Sequence, residues 1–258
     1  MITSYLQGGL GNQMFQIAAA WSLSKDLGVG CFFNLNETLI ITQGNKANKY
    51  KDNFFKNITN CDCDKFGFSQ YYETTFSYRP IPLVDNQILK GGFQSEKFFF
   101  KYKNELKSLF WFDEEKIREI KNKILNFSDG QSVCSIHVRR GDYLQKPNFH
   151  PVLQMEYYKK SMNILGSKKY VVVSDDLEWC KQNFIGDEFL FTDGNNEIDD
   201  FYTIMCCDNH IIANSSFSWW ASYLCENKNK KIICPSTWFG IHGPQDTQDI
   251  YLDSWIKI

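Results

Sequence analysis

The positive charges of this chain are almost all lysine. Of 28 Lys and Arg among 258 residues, four are arginine: Arg79, Arg118, Arg139 and Arg140. Two of the four are adjacent. A guanidinium presents a planar fork of donors that matches two phosphate oxygens and never loses its charge, which an ammonium does not reproduce. The segment His137-Val138-Arg139-Arg140-Gly141-Asp142-Tyr143 therefore reads as an anion-binding strand end. Strand alternation puts His137 and Arg139 on one face and Ile136 and Val138 on the other. Arg139 is expected to reach into a ligand crevice and Arg140 to support the fold. A structural ion pair with Asp142 or another acid is the competing reading, and the strand-end position favours phosphate.

Three other segments offer chemistry. Gly8-Gly9-Leu10-Gly11-Asn12-Gln13 lies between an apolar run and a helical pattern. Its glycines permit a sharp turn and close backbone approach, and a helix start presents N–H groups to an anion. It is not the GxGxxG dinucleotide fingerprint. Ser174-Asp175-Asp176 follows the run Val171–Val173. One acidic doublet without further ligands nearby is a poor metal site. Asp176 suits a helix cap, and Asp175 suits hydrogen bonds from a guanine edge or a sugar diol. Asn214-Ser215-Ser216 opens a helical segment carrying Phe217, Trp219 and Trp220. Hydroxyls and fresh N–H groups there make a phosphate cradle without lysine. At least one of the two tryptophans reads as core.

The elements that must position these residues are clearest in the second half. Apolar runs at Val133–Val138, Tyr170–Val173, Glu188–Phe191, His210–Ala213 and Lys231–Cys234 read as strands. Helical patterns at Gln154–Leu165, Leu177–Asn183, Glu197–Cys207 and Phe217–Glu226 alternate with them. This rhythm predicts an α/β fold with a parallel sheet covered on both faces, and the polar clusters fall at the carboxyl ends of the strands, where such sheets bind ligands. In the first half, Ile2–Leu6 reads as a strand, Asn12–Leu27 as a helix ended by Gly28, and Cys31–Leu35 and Gln87–Leu89 as further strands. Met14, Ile17, Ala18 and Trp21 share a face of that helix. Ser95 and Asp113 are candidate helix caps. Residues 36–85 are aromatic and polar with little period. Asn126–Gln131 is the best boundary, giving domains 1–128 and 129–258.

Composition narrows the function. A chain 43% hydrophobic is not disordered, and a net charge of −2 gives no footprint for nucleic acid. No apolar run approaches the ~20 residues of a membrane span, and no export signal is visible at the first residues, so a cytoplasmic protein is expected, with peripheral membrane association open. Nine cysteines without zinc spacing read as reduced, mostly buried thiols, Cys61 and Cys63 lying too close for an ordinary bridge.

Seven ordered blocks together resemble glycosyltransferase family 11, the alpha-1,2-fucosyltransferases. They are Gly-Gly-Leu-Gly-Asn-Gln-Met-Phe-Gln at 8–16, Gly-Gly-Phe-Gln-Ser-Glu-Lys-Phe-Phe at 91–99, and His-Val-Arg-Arg-Gly-Asp-Tyr at 137–143. His150-Pro151, Ser174-Asp175-Asp176, Asn-Ser-Ser-Phe-Ser-Trp-Trp at 214–220 and Pro235 to Trp238-Phe239 complete the series. The resemblance implies a GT-B architecture, two Rossmann-like domains facing a cleft. It implies a GDP-beta-L-fucose donor, an inverting reaction without a divalent metal or other cofactor, and transfer to the 2-hydroxyl of a terminal beta-galactoside on a glycan. The N-terminal domain would serve the acceptor and the C-terminal domain the donor. Arg139 maps onto the arginine that binds the donor diphosphate, and Asn12 onto the glycine-loop asparagine that faces the donor. His137, Asp175, Ser215 and Ser216 fall at positions lining the donor pocket.

Charge developing on the beta-phosphate as the fucose bond breaks would be stabilised by Arg139 and by N–H groups near Ser215 and Ser216. Asp142 is the first choice of base for the acceptor hydroxyl, with His150 and Glu96 as alternatives. Two other functions fit the same residues: a fucosyltransferase of different linkage or acceptor, and a glycan-binding protein that keeps the fold without turnover.

Overall fold

The computed structural model describes residues 1–37, 45–62, 67–194 and 196–258. The chain divides into two compact units, Met1–Phe112 with Pro244–Leu252, and Asp113–Gly243 with Asp253–Ile258.

In the first unit, strand β1 (Ile2–Ser4) leads through the glycine loop into helix α1 (Leu10–Leu27). Strands β2 (Ser69–Tyr72) and β3 (Gln87–Lys90) follow, then the short helix α2 (Leu106–Leu109). The three strands form a parallel sheet in the order β1-β3-β2. Helix α1 buries Met14, Ile17 and Ala18 as its spacing predicts, whereas Trp21 is half-buried and meets Tyr102 edge-on. It ends on Gly28 in the left-handed conformation (φ 65°), which only glycine adopts without cost. The predicted strand Cys31–Leu35 makes isolated bridges only, Ile2 to Cys31 and Phe33 to Asn60. Its apolar character comes instead from Phe32, Phe33 and Leu35 entering the core.

The second unit starts with helix α3 (Glu114–Ser128), capped by the Asp113 carboxylate through the N–H groups of Glu115 and Lys116. Then come β4 (Val133–Val138), α4 (Met155–Leu165), β5 (Lys169–Ser174), α5 (Leu177–Asn183) and β6 (Phe189–Phe191). The remainder is α6 (Glu197–Cys206), β7 (Asn209–Ile211), α7 (Ser216–Leu224), β8 (Ile232–Cys234) and β9 (Ile256–Lys257). Every neighbouring strand pair is parallel, in the order β6-β5-β4-β7-β8-β9. Renumbered from β4, that is 3-2-1-4-5-6, the doubly wound dinucleotide-fold order, whose ligand crevice opens where the order reverses. Here the reversal lies between β4 and β7. All six residues of β4 are buried, as a central strand covered on both faces requires.

The expected boundary after residue 128 puts α3 in the first domain. The compact units place it in the second, because Ile117, Ile120 and Ile124 are its buried stripe and Lys116 pairs with Asp199 of α6. Cys31, Cys134, Cys180, Cys206, Cys207, Cys225 and Cys234 are free thiols. Cys61 is disulfide-bonded, against the reading of a reduced set, and Cys63 lies outside the described residues.

Candidate functional site

Strand register assembles the first part of the site. Val138 at the end of β4 pairs with Ser174 at the end of β5, so Arg139-Arg140 and Asp175-Asp176 emerge side by side. Arg139 donates from Nη2 to Asp142 Oδ1 at 2.9 Å, and its Nη1 lies 3.0 Å from Asp175 Oδ2. The other oxygen of Asp175 accepts the backbone N–H of Arg140 at 2.9 Å. Arg140 donates from Nε to Asp176 Oδ2 at 2.9 Å and stacks over Trp179, 4.2 Å from the ring centre. Asp176 also caps α5, accepting the Trp179 N–H at 3.2 Å. The expectations for Arg140 and Asp176 are met directly. At Arg139 the ion-pair reading is realised twice over. Asp175 contacts the arginine pair through both oxygens and so holds Arg139 in place.

The loop after β7 meets this cluster across the sheet reversal. Tyr143, one residue beyond Asp142, donates its hydroxyl to the Asn214 carbonyl at 2.9 Å. The Asn214 amide in turn donates to the carbonyls of Pro151 (3.2 Å) and Trp238 (3.0 Å). One buried asparagine thus ties together four of the sequence blocks. Ser215 is the N-cap residue of α7 and its side chain makes no cap hydrogen bond to the helix. Ser216 begins the helix, and Trp219 and Trp220 are fully buried, as expected of core.

His137 does not share the exposure of Arg139. Its ring is buried, with Nδ1 2.8 Å from Ser218 Oγ of α7. Burial, reinforced by the Arg139 charge, pushes its pKa down to about 3, so the ring is neutral and locks β4 to α7. His150 stacks flat on Tyr143, ring centres 4.3 Å apart. Burial lowers its pKa to about 4, against the pull of Asp142, which makes it a weak base at neutral pH. Glu96 belongs to the first unit, where one of its carboxylate oxygens is buried without a hydrogen-bond partner.

The first unit carries the glycine blocks. Gly8 has φ 75°, and a Cβ there would lie 2.4 Å from Asn12 Nδ2. Gln13 donates to the carbonyls of Gly8 (2.7 Å) and Asn45 (2.8 Å). Gln16 accepts the Gln7 N–H at 2.9 Å and donates to the Gly91 carbonyl at 3.2 Å. Asn12 Oδ1 accepts from Gln94 Nε2 at 3.0 Å. The blocks at 8–16 and 91–99 therefore form one polar assembly. Among the described residues no cluster of three or more His, Cys, Asp or Glu has metal-binding geometry, and no helix is long and apolar enough to cross a membrane.

The sequence profile of glycosyl transferase family 11 matches residues 1–258. The chain belongs to that family. An alpha-1,2-colitosyltransferase of Escherichia coli is 29% identical over 289 residues, covering 100% of this chain and 99% of its own. Galactoside alpha-(1,2)-fucosyltransferase 1 of Bos taurus is 28% identical over 145 residues, covering 49% of this chain and 40% of its own. Among solved structures, a family 9 glycosyl transferase from Veillonella parvula superposes with a TM-score of 0.52 at 13% identity, covering 100% of this chain and 86% of the other. That similarity is one of fold.

Within this family 11 chain, two residues of the 8–16 block have roles that the block alone does not give, and a third site residue lies outside every block. Gln13 and Gln16 are fully buried on a helix otherwise lined by Met14, Ile17 and Ala18. Polar side chains inside an apolar stripe were the available signal, since a buried amide must find partners. Glu73 lies in the stretch without period and accepts the N–H groups of Gly92 and Phe93. Burial raises its pKa, opposed by those two hydrogen bonds. No local pattern announced it.

Proposed function

We propose that this family 11 chain transfers L-fucose from GDP-beta-L-fucose to the 2-hydroxyl of a terminal beta-galactoside, with inversion and without a divalent metal. The observation that carries the reading is the placement of Arg139 at the end of β4 and of the α7 N-terminus after β7, the two strands that flank the sheet reversal. Doubly wound sheets bind phosphates there, at strand ends and helix starts.

The cluster of Arg139, Arg140, Asp142, Asp175 and Asp176 carries two positive and three negative formal charges, −1 in all. A diphosphate therefore gains most by taking over the Arg139 donor that Asp142 now occupies, while Asp175 keeps the guanidinium aimed. That exchange releases the Asp142 carboxylate. The acceptor oxygen then attacks the anomeric carbon from the face opposite the diphosphate, and the carbon–oxygen bond to the beta-phosphate breaks with its electron pair on that oxygen. Asp142 takes the hydroxyl proton. Arg139, aimed by Asp175, meets the growing phosphate charge beside the start of α7. The expected Ser215 N–H is not offered there, since it donates to the Ala213 carbonyl at 2.8 Å. Asn12 of the first unit is assigned to the donor by its block.

The full-length similarity to a colitosyltransferase supports a second reading in which the donor carries a different deoxy sugar, with the same alpha-1,2 linkage. Purified chain incubated in EDTA with GDP-fucose and a panel of beta-galactosides, with product linkage determined by NMR, tests the proposal. The proposal expects an alpha-1,2-fucosyl galactoside. A product of other linkage, or no transfer from GDP-fucose beside transfer from GDP-colitose, contradicts it.

A further inference from the structure

Glu73 stands just beyond β2, and its backbone N–H continues the ladder to the Lys90 carbonyl at 2.9 Å. Its carboxylate turns inward onto the block at 91–99. Oε2 accepts the Gly92 N–H at 2.6 Å, and the Phe93 N–H lies 3.1 Å from Oε1 and 3.2 Å from Oε2. Phe93 is held at φ 50°, a left-handed conformation that is strained for a bulky residue and persists only where its surroundings over-determine it. Here they do so from two sides. The carboxylate fixes the N–H groups, and the buried ring lies between Phe98 (5.3 Å, edge-on) and Tyr71 (6.4 Å, stacked). Gly91 leaves room for this approach, since a Cβ there would meet Glu73 Cβ at 2.4 Å.

The turn so formed presents Gln94 to Asn12, Nε2 to Oδ1 at 3.0 Å. Glu73 therefore determines, through two backbone N–H groups and one strained residue, where the Gln94 amide lies. The Gln94 amide in turn orients Asn12. A carboxylate is suited to this because both of its oxygens accept, and Asp246, which adds a second negative charge nearby, is held by the Ser77 N–H and hydroxyl.

We propose that Glu73 is a positioning residue that sets the side-chain orientation of Asn12 through Gln94. The inference rests on the reading above that Asn12 contacts the donor.

A double-mutant cycle tests it, using the full chain as wild type, Glu73→Gln, Gln94→Ala and the double variant, with kcat and KM for GDP-fucose and thermal midpoints measured in parallel. Gln fills the same volume and removes one acceptor. Each single variant is expected to lose about tenfold in kcat/KM, and the double variant no more than the poorer single, since residues acting in series do not add. Losses that multiply in the double variant, or a Glu73→Gln variant with unchanged kcat/KM and a lowered midpoint, overturn the proposal. If Glu73→Gln fails to fold, Glu73→Asp enters the same cycle. If the wild type does not transfer from GDP-fucose, the functional reading fails alone, and the cycle is read from the midpoints. Coupled shifts then support the positioning chain and additive ones refute it.

Discussion

Asp175 grips two successive residues at once: Oδ1 accepts the Arg140 backbone N–H at 2.9 Å, and Oδ2 lies 3.0 Å from Arg139 Nη1. The carboxylate thereby sets both the path of the chain leaving β4 and the direction of the guanidinium. Asp175→Asn keeps the shape, loses the charge and turns one oxygen into a donor facing a donor. Transfer from GDP-fucose is expected to fall about 10- to 100-fold in kcat, the scale of a misplaced catalytic donor. The thermal midpoint should change little, because the group is partly exposed and such pairs contribute about 1 kcal/mol or less. Steady-state kinetics beside a melting curve checks both; unaltered kcat would remove Asp175 from this role.

Gly8 and Gly166 share the left-handed conformation, φ 75° and 64°, but differ in surroundings. A Cβ at Gly8 strikes Asn12 Nδ2 at 2.4 Å, whereas one at Gly166 meets nothing within 4 Å. Both alanine variants are expected to lose stability, by about 1–3 kcal/mol for strain of this kind. Only Gly8→Ala should also lose activity, by displacing Asn12. Equal activity in the two variants contradicts the assignment.

Much of the second unit is legible in the sequence because a central parallel strand must be apolar on both faces. Val171–Val173 is therefore a continuous run, β4 buries its two polar residues Ser135 and His137 against His210 and Ser218, and the polar residues that end these strands mark the site. Strand β2, Ser-Gln-Tyr-Tyr, is invisible to that logic: as an edge strand it has little face to bury, and only Tyr71 is not exposed. Arg139 and Asp142 were legible as a possible pair. The second partner, Asp175, was not, because its contact depends on the β4–β5 register rather than on sequence distance. Glu73 is further out of reach, since its value lies in two backbone N–H groups about twenty residues away.

Asn214 is buried and bridges the Pro151 and Trp238 carbonyls. Asn214→Ala leaves both acceptors without that donor, and Asn214→Asp adds a buried charge that cannot donate. Each is expected to cost about 1–3 kcal/mol, the range for orphaned buried polar groups. Urea unfolding measures it, and a loss within 0.5 kcal/mol, the scale of an ordinary surface substitution, would show the bridge to be incidental.

Acid should destabilise the protein. Burial lowers the pKa of His137 and of His210 from 6.5 to about 3. Between those values the unfolded chain binds protons that the folded chain does not, so stability falls as pH drops below 6.5. Each histidine contributes on the order of 1 kcal/mol per pH unit. Asp200, its pKa raised by burial to about 6, acts oppositely below pH 6 and offsets about one histidine there. His150, lowered to about 4, adds a third contribution of the same sign, so the net result between pH 7 and pH 5 is a midpoint lower by roughly 10–15 °C. Calorimetry showing a flat or rising midpoint over that interval would contradict the buried, neutral state of these rings.

The proposed stabilisation of the departing diphosphate by Arg139, without a metal ion, is open to a single measurement. It is the kcat for fucose transfer from saturating GDP-fucose in EDTA, compared between wild type and Arg139→Lys. Lysine keeps the charge and loses the fork. The expected result is a wild-type rate undiminished by EDTA and a variant slower by about 100-fold or more, the loss typical of one preorganised donor. A wild type silenced by EDTA, or an Arg139→Lys variant at near-normal kcat, would contradict it.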